Sequence, residues 1–280
     1  MRRSVIDGRR VDFRNGLIIL PKTPLIVNLN VPSEADLITE NSTQLYPVGT
    51  QLRKLDSLWR YCKAGAAIAA AKRGFLRCNY AYTPGKAGNS TNNGFEGAIN
   101  ANVVAGAVSF VIADTAAVVN EYENASLVIY DDTNERWQDY VITKNDVSTG
   151  SLTTCYIASP GFKNAVTTSM GITIYLNPYR DVRDWADGSG WVSALGYAKL
   201  GVTNAYWFWL QTAGRLSGIT GGATWPGQTS LNRTVYAQSD GALVGSDGNA
   251  AILHWQRVGF LLGRTATDYG DNFIHLELDH

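Results

Sequence analysis

Tyr206-Trp207-Phe208-Trp209-Leu210 is the stretch that most limits what this chain can fold into. Side chains alternate between the two faces of an extended strand. Tyr206, Phe208 and Leu210 therefore point one way, and Trp207, Trp209 and Gln211 the other. Both faces are strongly apolar, which a strand with one wet face does not justify. One face enters the chain's own core, and the other needs a second apolar surface from another sheet or another subunit. Trp207, Trp209 and Gln211 are on this ground a candidate subunit interface, with intrachain sheet-on-sheet packing as the equal alternative.

The remaining composition points the same way. Gly at 28, Tyr at 14 and Trp at 8 favour strands and tight turns over long helices. Charged residues are 17%, and Lys+Arg balance Asp+Glu at 24 each, so the net charge is +0. That balance argues against whole-surface steering toward nucleic acid or anionic lipid, and it leaves little repulsion between copies. Cys62, Cys78 and Cys155 lack metal-ligand spacing and are expected to stay reduced. Met1-Arg2-Arg3-Ser4 opens no apolar run of signal-peptide or membrane-span length, so a soluble chain made in the cytoplasm is expected.

In chain order, residues 1–45 read as an extended N-terminal arm, basic through Arg2, Arg3, Arg9, Arg10 and Arg14 and punctuated by Pro21, Pro24 and Pro32. A strand is expected at 17–20 and one helical turn near 31–37 with Ser33 as its cap. The arm either docks loosely or drapes over a neighbouring subunit. Residues 46–100 read as a hairpin (strands to Arg53 and at 58–63, joined through 55–57), a short alanine-rich segment at 64–71 that is a helix by propensity with close-packed extended chain as the alternative, and a loop over 83–97. Residues 101–185 carry strands at 108–112, 127–132, 137–142, 153–157 and 171–176, the spacing of a small β-barrel or sandwich. Residues 186–280 read as a C-terminal β domain using one hairpin pattern twice, at 196–210 and 259–278. Gln211-Thr212-Ala213-Gly214 is read as a turn, and 218–248 as surface loop. The fold class is mainly β: small β-barrel or sandwich modules, an extended N-terminal arm and at most one or two short helices.

Tyr46-Pro47-Val48-Gly49-Thr50, followed by Trp59-Arg60-Tyr61-Cys62-Lys63-Ala64-Gly65-Ala66-Ala67, resembles the opening of the capsid-decoration (cement) proteins of tailed phages from environmental bacteria. The resemblance continues through Asp131-Asp132, Asn177-Pro178-Tyr179, Gln211-Thr212-Ala213-Gly214 and Val258-Gly259-Phe260-Leu261-Leu262, and covers roughly residues 44–280. It implies a head auxiliary structural protein on the outer surface of the virion capsid, synthesised in the host cytoplasm. It further implies a homo-oligomer, a trimer by expectation, that bridges subunits of the major capsid protein. No cofactor, membrane or direct nucleic-acid contact is expected, and Arg2, Arg3, Arg9, Arg10 and Arg14 become a candidate capsid-contacting arm.

Chemical motifs do not compete with that reading. Asp131, Asp132, Glu135 and Asp139 lack the glycine and terminal glutamate of a calcium loop and read as solvated turn residues. Asp181, Asp184 and Asp187, interrupted by Arg180 and Arg183, read as a charged linker or cap. His254, His275 and His280 have no ligand partners at metal-binding spacing. No nucleophile elbow, P-loop or dinucleotide fingerprint is present. The expectation is therefore no enzyme, with spatially assembled carboxylate pairs the only catalytic route open. The alternative function is a tail- or fibre-associated receptor- or glycan-binding protein, with exposed tryptophans such as Trp225 as stacking platforms.

Overall fold

Short β-branched and aromatic runs separated by Gly, Asn and Asp put 50% of the described residues in strands and 3% in helical turns. A computed structural model describes residues 4–6, 10–13, 16–19, 32–69, 76–79, 85–86, 94–115, 117–185, 192–217, 233–238, 241–245, 256–263 and 273–279. Among these no helix reaches seven residues. The strands of the first half are β1 (Ser4–Ile6), β2 (Arg10–Phe13), β3 (Gly16–Ile19), β4 (Gln51–Lys54), β5 (Ser57–Lys63), β6 (Leu76–Asn79), β7 (Gly85–Lys86), β8 (Phe95–Gly97), β9 (Ser109–Ile112) and β10 (Ser126–Asp131). Those of the second half are β11 (Arg136–Asn145), β12 (Thr153–Ile157), β13 (Gly171–Tyr175), β14 (Val182–Asp184), β15 (Ala194–Tyr197), β16 (Trp207–Leu216), β17 (Thr234–Ala237), β18 (Leu243–Gly245), β19 (Arg257–Gly263) and β20 (Phe273–Glu277).

A 13-stranded sheet runs β1-β2-β3-β4-β5-β16-β20-β19-β17-β18, with β15 and β6 leading from β16 to β14. Its centre is the aromatic strand, β16, which pairs antiparallel with β5 in the register Trp207↔Lys63, Phe208↔Cys62 and Trp209↔Tyr61. The strand of the N-terminal arm forms as β3, and Ile18 on it is buried opposite Leu52. Phe208 and Leu210 pack into a core with Cys62, Ala64, Ile68, Val182, Leu195, Ala198 and Val202. Trp207 and Trp209 pack into another with Ile18, Leu37, Tyr46, Val48, Leu52, Trp59 and Tyr61.

The second apolar surface demanded by the two-faced strand is thus supplied by the chain itself. Trp209 meets Tyr46 at 5.3 Å and Tyr61 at 5.1 Å, edge to face, and Tyr61 stacks on Trp207 at 6.0 Å. Asn41 ties the covering segment down by exchanging two 2.8 Å backbone hydrogen bonds with Trp207. Just upstream, a single turn at Asp36–Ile38 is fastened by Ser33, whose backbone N–H donates to the Asp36 carboxylate at 2.6 Å. Trp207, Trp209 and Gln211 retain only 8%, 1% and 1% of their surface. The interface assignment for these residues is therefore corrected: nothing of them remains for a subunit contact to bury.

Four local expectations also change. Within the stretch read as surface loop, 218–248, lie β17 and β18 with Val235, Ala237, Leu243 and Val244 buried, and β7 and β8 lie within the loop read over 83–97. Residues 64–69 are extended, not helical. Ala64 donates to Tyr206 O and accepts from Ala205 N at 2.9 Å each, and Ile68 bridges Val202. Methyl side chains let this backbone lie against β16, and tertiary hydrogen bonds override alanine's helix propensity. Residues 211–214 do not end the strand, because β16 continues to Leu216 through a bulge between Gln211 and Ala213. The Gln211 amide donates to Arg215 O at 2.9 Å and Ala213 O at 3.3 Å across that bulge. Gly214, at φ +94°, leaves room for Asp56 O, which a Cβ would meet at 2.2 Å.

The second sheet, in the order β7-β8-β13-β10-β11-β12-β9, curls into a barrel. Just past β8, Ile99 bridges Ile112 of β9 and Asn100 N–H donates to Val111 O at 2.7 Å, closing the ring. Inside it Phe95, Phe110, Leu127, Ile129, Ile142, Cys155, Phe162, Ile172 and Ile174 form a separate core. The strands expected at 108–112, 127–132, 137–142, 153–157 and 171–176 are β9 to β13, and β14 belongs to the large sheet, paired with β6. The barrel meets that sheet through polar groups. Asn124 Nδ2 donates to Val48 O at 3.1 Å, and Gln44 Nε2 to the carboxylate of Glu123 at 3.4 Å.

Two measurements test these contacts. Arg77 on β6 is fully buried and ion-paired with Asp184 directly opposite on β14. Arg77→Ala empties a fully buried site and strips the partly exposed Asp184 of its partner, and should lower unfolding free energy by about 2–3 kcal/mol in urea, with Arg77→Met losing less. Glu123 is fully buried, its Oε1 has no hydrogen-bond partner, and burial pushes its carboxyl above the usual range, as burial does for Glu121. A raised folded value means that the folded chain holds these protons more tightly than the unfolded chain. Their contribution to stability therefore grows as pH falls from neutral through the raised values and is complete below the ordinary carboxylate value. Glu123→Gln should raise the urea midpoint at neutral pH, with a gain that shrinks toward about pH 5.

Candidate interaction surface

With the Trp207 and Trp209 face inside, the largest exposed aromatic surface among the described residues lies on the barrel wall. Alternation in β11 sends Gln138, Tyr140 and Ile142 toward the barrel interior and Trp137, Asp139 and Val141 outward. Strand register then sets the neighbours. Trp137 lies opposite Tyr130, Asp139 opposite Val128 and Val141 opposite Ser126, while Tyr175 flanks Ser126 from β13. Trp137, Tyr130, Val128, Val141 and Tyr175 thus share one face of three adjacent strands, a patch about 10 Å by 13 Å from strand spacing and rise.

Trp137 is 66% exposed, and its ring rests at 4.5 Å and 40° against that of Tyr130, a cross-strand aromatic pair. Gly171, the β13 partner of Tyr130, adds no side chain to crowd it. Val141 continues the patch into a groove of ≈770 Å³ between β10–β11 and the segment 158–163. That groove is shaped by the Tyr140 hydroxyl, which donates to Gln138 Oε1 and accepts from Lys163 N–H, both at 2.7 Å. Single exposed apolar residues are ordinary on protein surfaces; several on one face around Asp139 and Ser126, with a tilted Trp–Tyr pair, make a candidate contact surface.

A second exposed apolar point is Leu55, at the tip of the β4–β5 hairpin. Lys54 pairs with Ser57, so Leu55 and Asp56 alone make the turn. Leu55 has φ +55° and is 94% exposed. In a two-residue hairpin with positive φ at its first position, glycine is the usual occupant. A fully exposed leucine held there gives up backbone energy and gains no burial within the chain.

Asp131, Asp181, Arg183 and Asp184, among the charged residues read from the sequence, have structural partners. The Asp131 carboxylate accepts from Asn134 Nδ2 at 2.8 Å and Thr133 N–H at 3.1 Å, nucleating the β10–β11 turn. Those bonds, led by that of the Asn134 side chain and aided by Arg136, hold it below the usual carboxylate range. Asp181 is paired with Arg183 and Asp184 with Arg77. His275 stacks on Phe260 at 5.2 Å. Cys62, Cys78 and Cys155 are buried thiols. Among the described residues no group of three His, Cys, Asp or Glu could hold a metal, and no helix is long and apolar enough to cross a membrane. Arg10 opens β2, while Arg2, Arg3, Arg9, Arg14, Asp187, Trp225, His254 and His280 lie outside the described residues.

Sequence reasoning missed Trp137 and Leu55. The signal for Trp137 was the outward register of Trp137, Asp139 and Val141 on a strand whose other face is core. For Leu55 it was a leucine where a tight turn favours glycine. Leu55→Gly should raise unfolding free energy by about 0.5–1 kcal/mol, the left-handed cost of a side chain less the entropy that glycine loses. A fall in the urea midpoint would instead reveal packing of Leu55 within the chain.

No family model, no curated protein and no solved structure matches this chain.

Proposed function

We propose that this chain is a structural virion protein that decorates the outer face of a tailed-phage capsid and stabilises it by bridging major capsid subunits. The observation that carries the reading is the outward row of Trp137, Tyr130, Val128, Val141 and Tyr175, an apolar face that no other described residue covers. It is supported by the resemblance of residues 44–280 to capsid-decoration proteins. A net charge of +0 adds to it by letting copies sit side by side on a shell with little repulsion. The task is mechanical. Aromatic burial at each junction adds association free energy, with central anchors contributing about 2–4 kcal/mol each, and the total is multiplied by simultaneous contacts around the shell. Self-association, as a trimer, belongs to the same reading.

A second reading is favoured by one feature, the exposed Trp137 ring braced by Tyr130, which is the form of a sugar-stacking platform. In that case the protein is a tail- or fibre-associated receptor- or glycan-binding protein. The experiment is co-sedimentation of the full chain with undecorated phage heads, alongside binding to host-surface polysaccharide. The capsid reading expects saturable binding to heads that Trp137→Ala weakens by about 30-fold or more with an unchanged thermal midpoint. Binding to polysaccharide alone, or head binding indifferent to Trp137→Ala, would overturn it.

A further inference from the structure

Between the barrel and the large sheet lies a cleft of ≈230 Å³, unrelated to the aromatic wall. Three pieces of chain converge there. Lys63 closes β5, Arg180 ends the single turn Pro178–Arg180 that follows β13, and Glu121 comes from the barrel loop before β10. Asp181 and Arg183 complete the charged lining.

Partner by partner, these charges are not equally engaged. Arg183 holds Asp181 in a two-pronged contact, Nε to Oδ1 at 2.7 Å and Nη2 to Oδ2 at 3.0 Å. One carboxylate oxygen of Glu121 accepts from Val118 N–H at 2.9 Å. Lys63 and Arg180 differ: among the described residues neither has a carboxylate within the 4.0 Å of an ion pair. The Lys63 ammonium lies 5.3 Å from the Trp207 ring centroid, a weaker contact than a salt bridge. Burial lowers the Lys63 ammonium below its ordinary value and the Arg180 charge lowers it further, against the opposing pull of Asp181 and Glu121. Burial likewise lowers Arg180, against the opposing pull of Glu121, Glu123 and Asp181. Two half-buried cations face one space and repel each other across it.

The backbone around the cleft is closely fitted. A Cβ on Gly65 would fall 1.3 Å from Asp181 Oδ1, so the Asp181–Arg183 pair is seated against bare backbone. Ala205 lines the cleft at φ +65°, a conformation alanine adopts only where the surroundings enforce it. A metal cation fits this lining poorly. Asp181 is taken by Arg183, Glu121 by a backbone N–H, and Lys63 and Arg180 would repel it.

We propose that this cleft binds a small oxyanion, a phosphate, sulfate or carboxylate group, between the Lys63 ammonium and the Arg180 guanidinium. The guanidinium offers a planar fork of donors and the ammonium a compact charge, the pairing that oxyanions favour. Arg183, fixed by Asp181, forms a rigid wall. A bound anion would lie between two cations that otherwise repel, and so would stabilise the barrel–sheet junction as well as fill it.

Calorimetric titration of the full chain with inorganic phosphate, against chloride at matched ionic strength, tests this. Parallel titrations with sulfate and acetate distinguish a free inorganic anion from a carboxylate as the preferred group. Saturable phosphate, sulfate or acetate binding is expected, weakened about tenfold or more by Lys63→Gln and by Arg180→Gln, and in part retained by Arg180→Lys. Circular dichroism of each variant without anion establishes folding. Should Arg180→Gln not fold, Lys63→Gln at the strand end carries the test. Heats equal to those of chloride for all three anions, or Lys63→Gln binding as tightly as the unaltered chain, would overturn the proposal.

Discussion

A strand that is apolar on both faces must be covered twice, and the large sheet is arranged around that requirement. Burying one tryptophan removes about 150–250 Å² from water, a gross gain of about 4–6 kcal/mol at about 25 cal/mol per Å². Trp207 and Trp209 together offset much of the entropy lost in ordering residues 37–50 over them. On the opposite face Phe208 and Leu210 do the same for the extended 64–69 segment and for Val202. Segments that by composition read as loop or helix become structural because β16 needs them. The polar residues that follow in the same strand stay in the sheet, with the Gln211 amide donating to the Ala213 and Arg215 carbonyls across the bulge.

The barrel obeys a different constraint. Its core is enclosed by its own strands, and it meets the large sheet through amides and carboxylates, not through a shared apolar layer. The carboxylate of Glu123 stays buried at that seam with one oxygen unpartnered, which a junction selected for stability alone would replace by an amide. The aromatic wall and the charged cleft are both products of this arrangement. No described residue covers the wall, since the barrel core is enclosed by its own strands, and the cleft lies at the polar seam.

Much of the fold was legible in the sequence because strands declare themselves locally. Alternation and Gly, Asn and Asp breaks place β9 to β13 within a residue or so, except that β11 runs on to Asn145, and Pro178 ends β13 where expected. Three things were not legible, for physical reasons. The covering of the Trp207 face comes from residues far away in sequence, Ile18 to Tyr61, and no local pattern encodes which segment will lie there. Alanine at 64–71 has helix propensity of a few tenths of a kcal/mol per residue, less than the hydrogen bonds that Ala64 makes to Ala205 and Tyr206. The candidate surface was misplaced because aromatic density marks burial and display alike. Trp209 and Trp137 are the same residue type on the same kind of strand, and among the described residues only the first has an opposing layer.

Closing the barrel at Ile99 and Ile112 has an effect that reaches beyond stability. A strand on an open margin can recruit a partner by hydrogen-bonding its main chain, which is indifferent to side-chain identity. A wall whose strands are already paired on both sides offers only side chains. Whatever meets Trp137 must therefore read shape and polarity atom by atom, and a single substitution there can redirect partner choice while the ring beneath it stays intact.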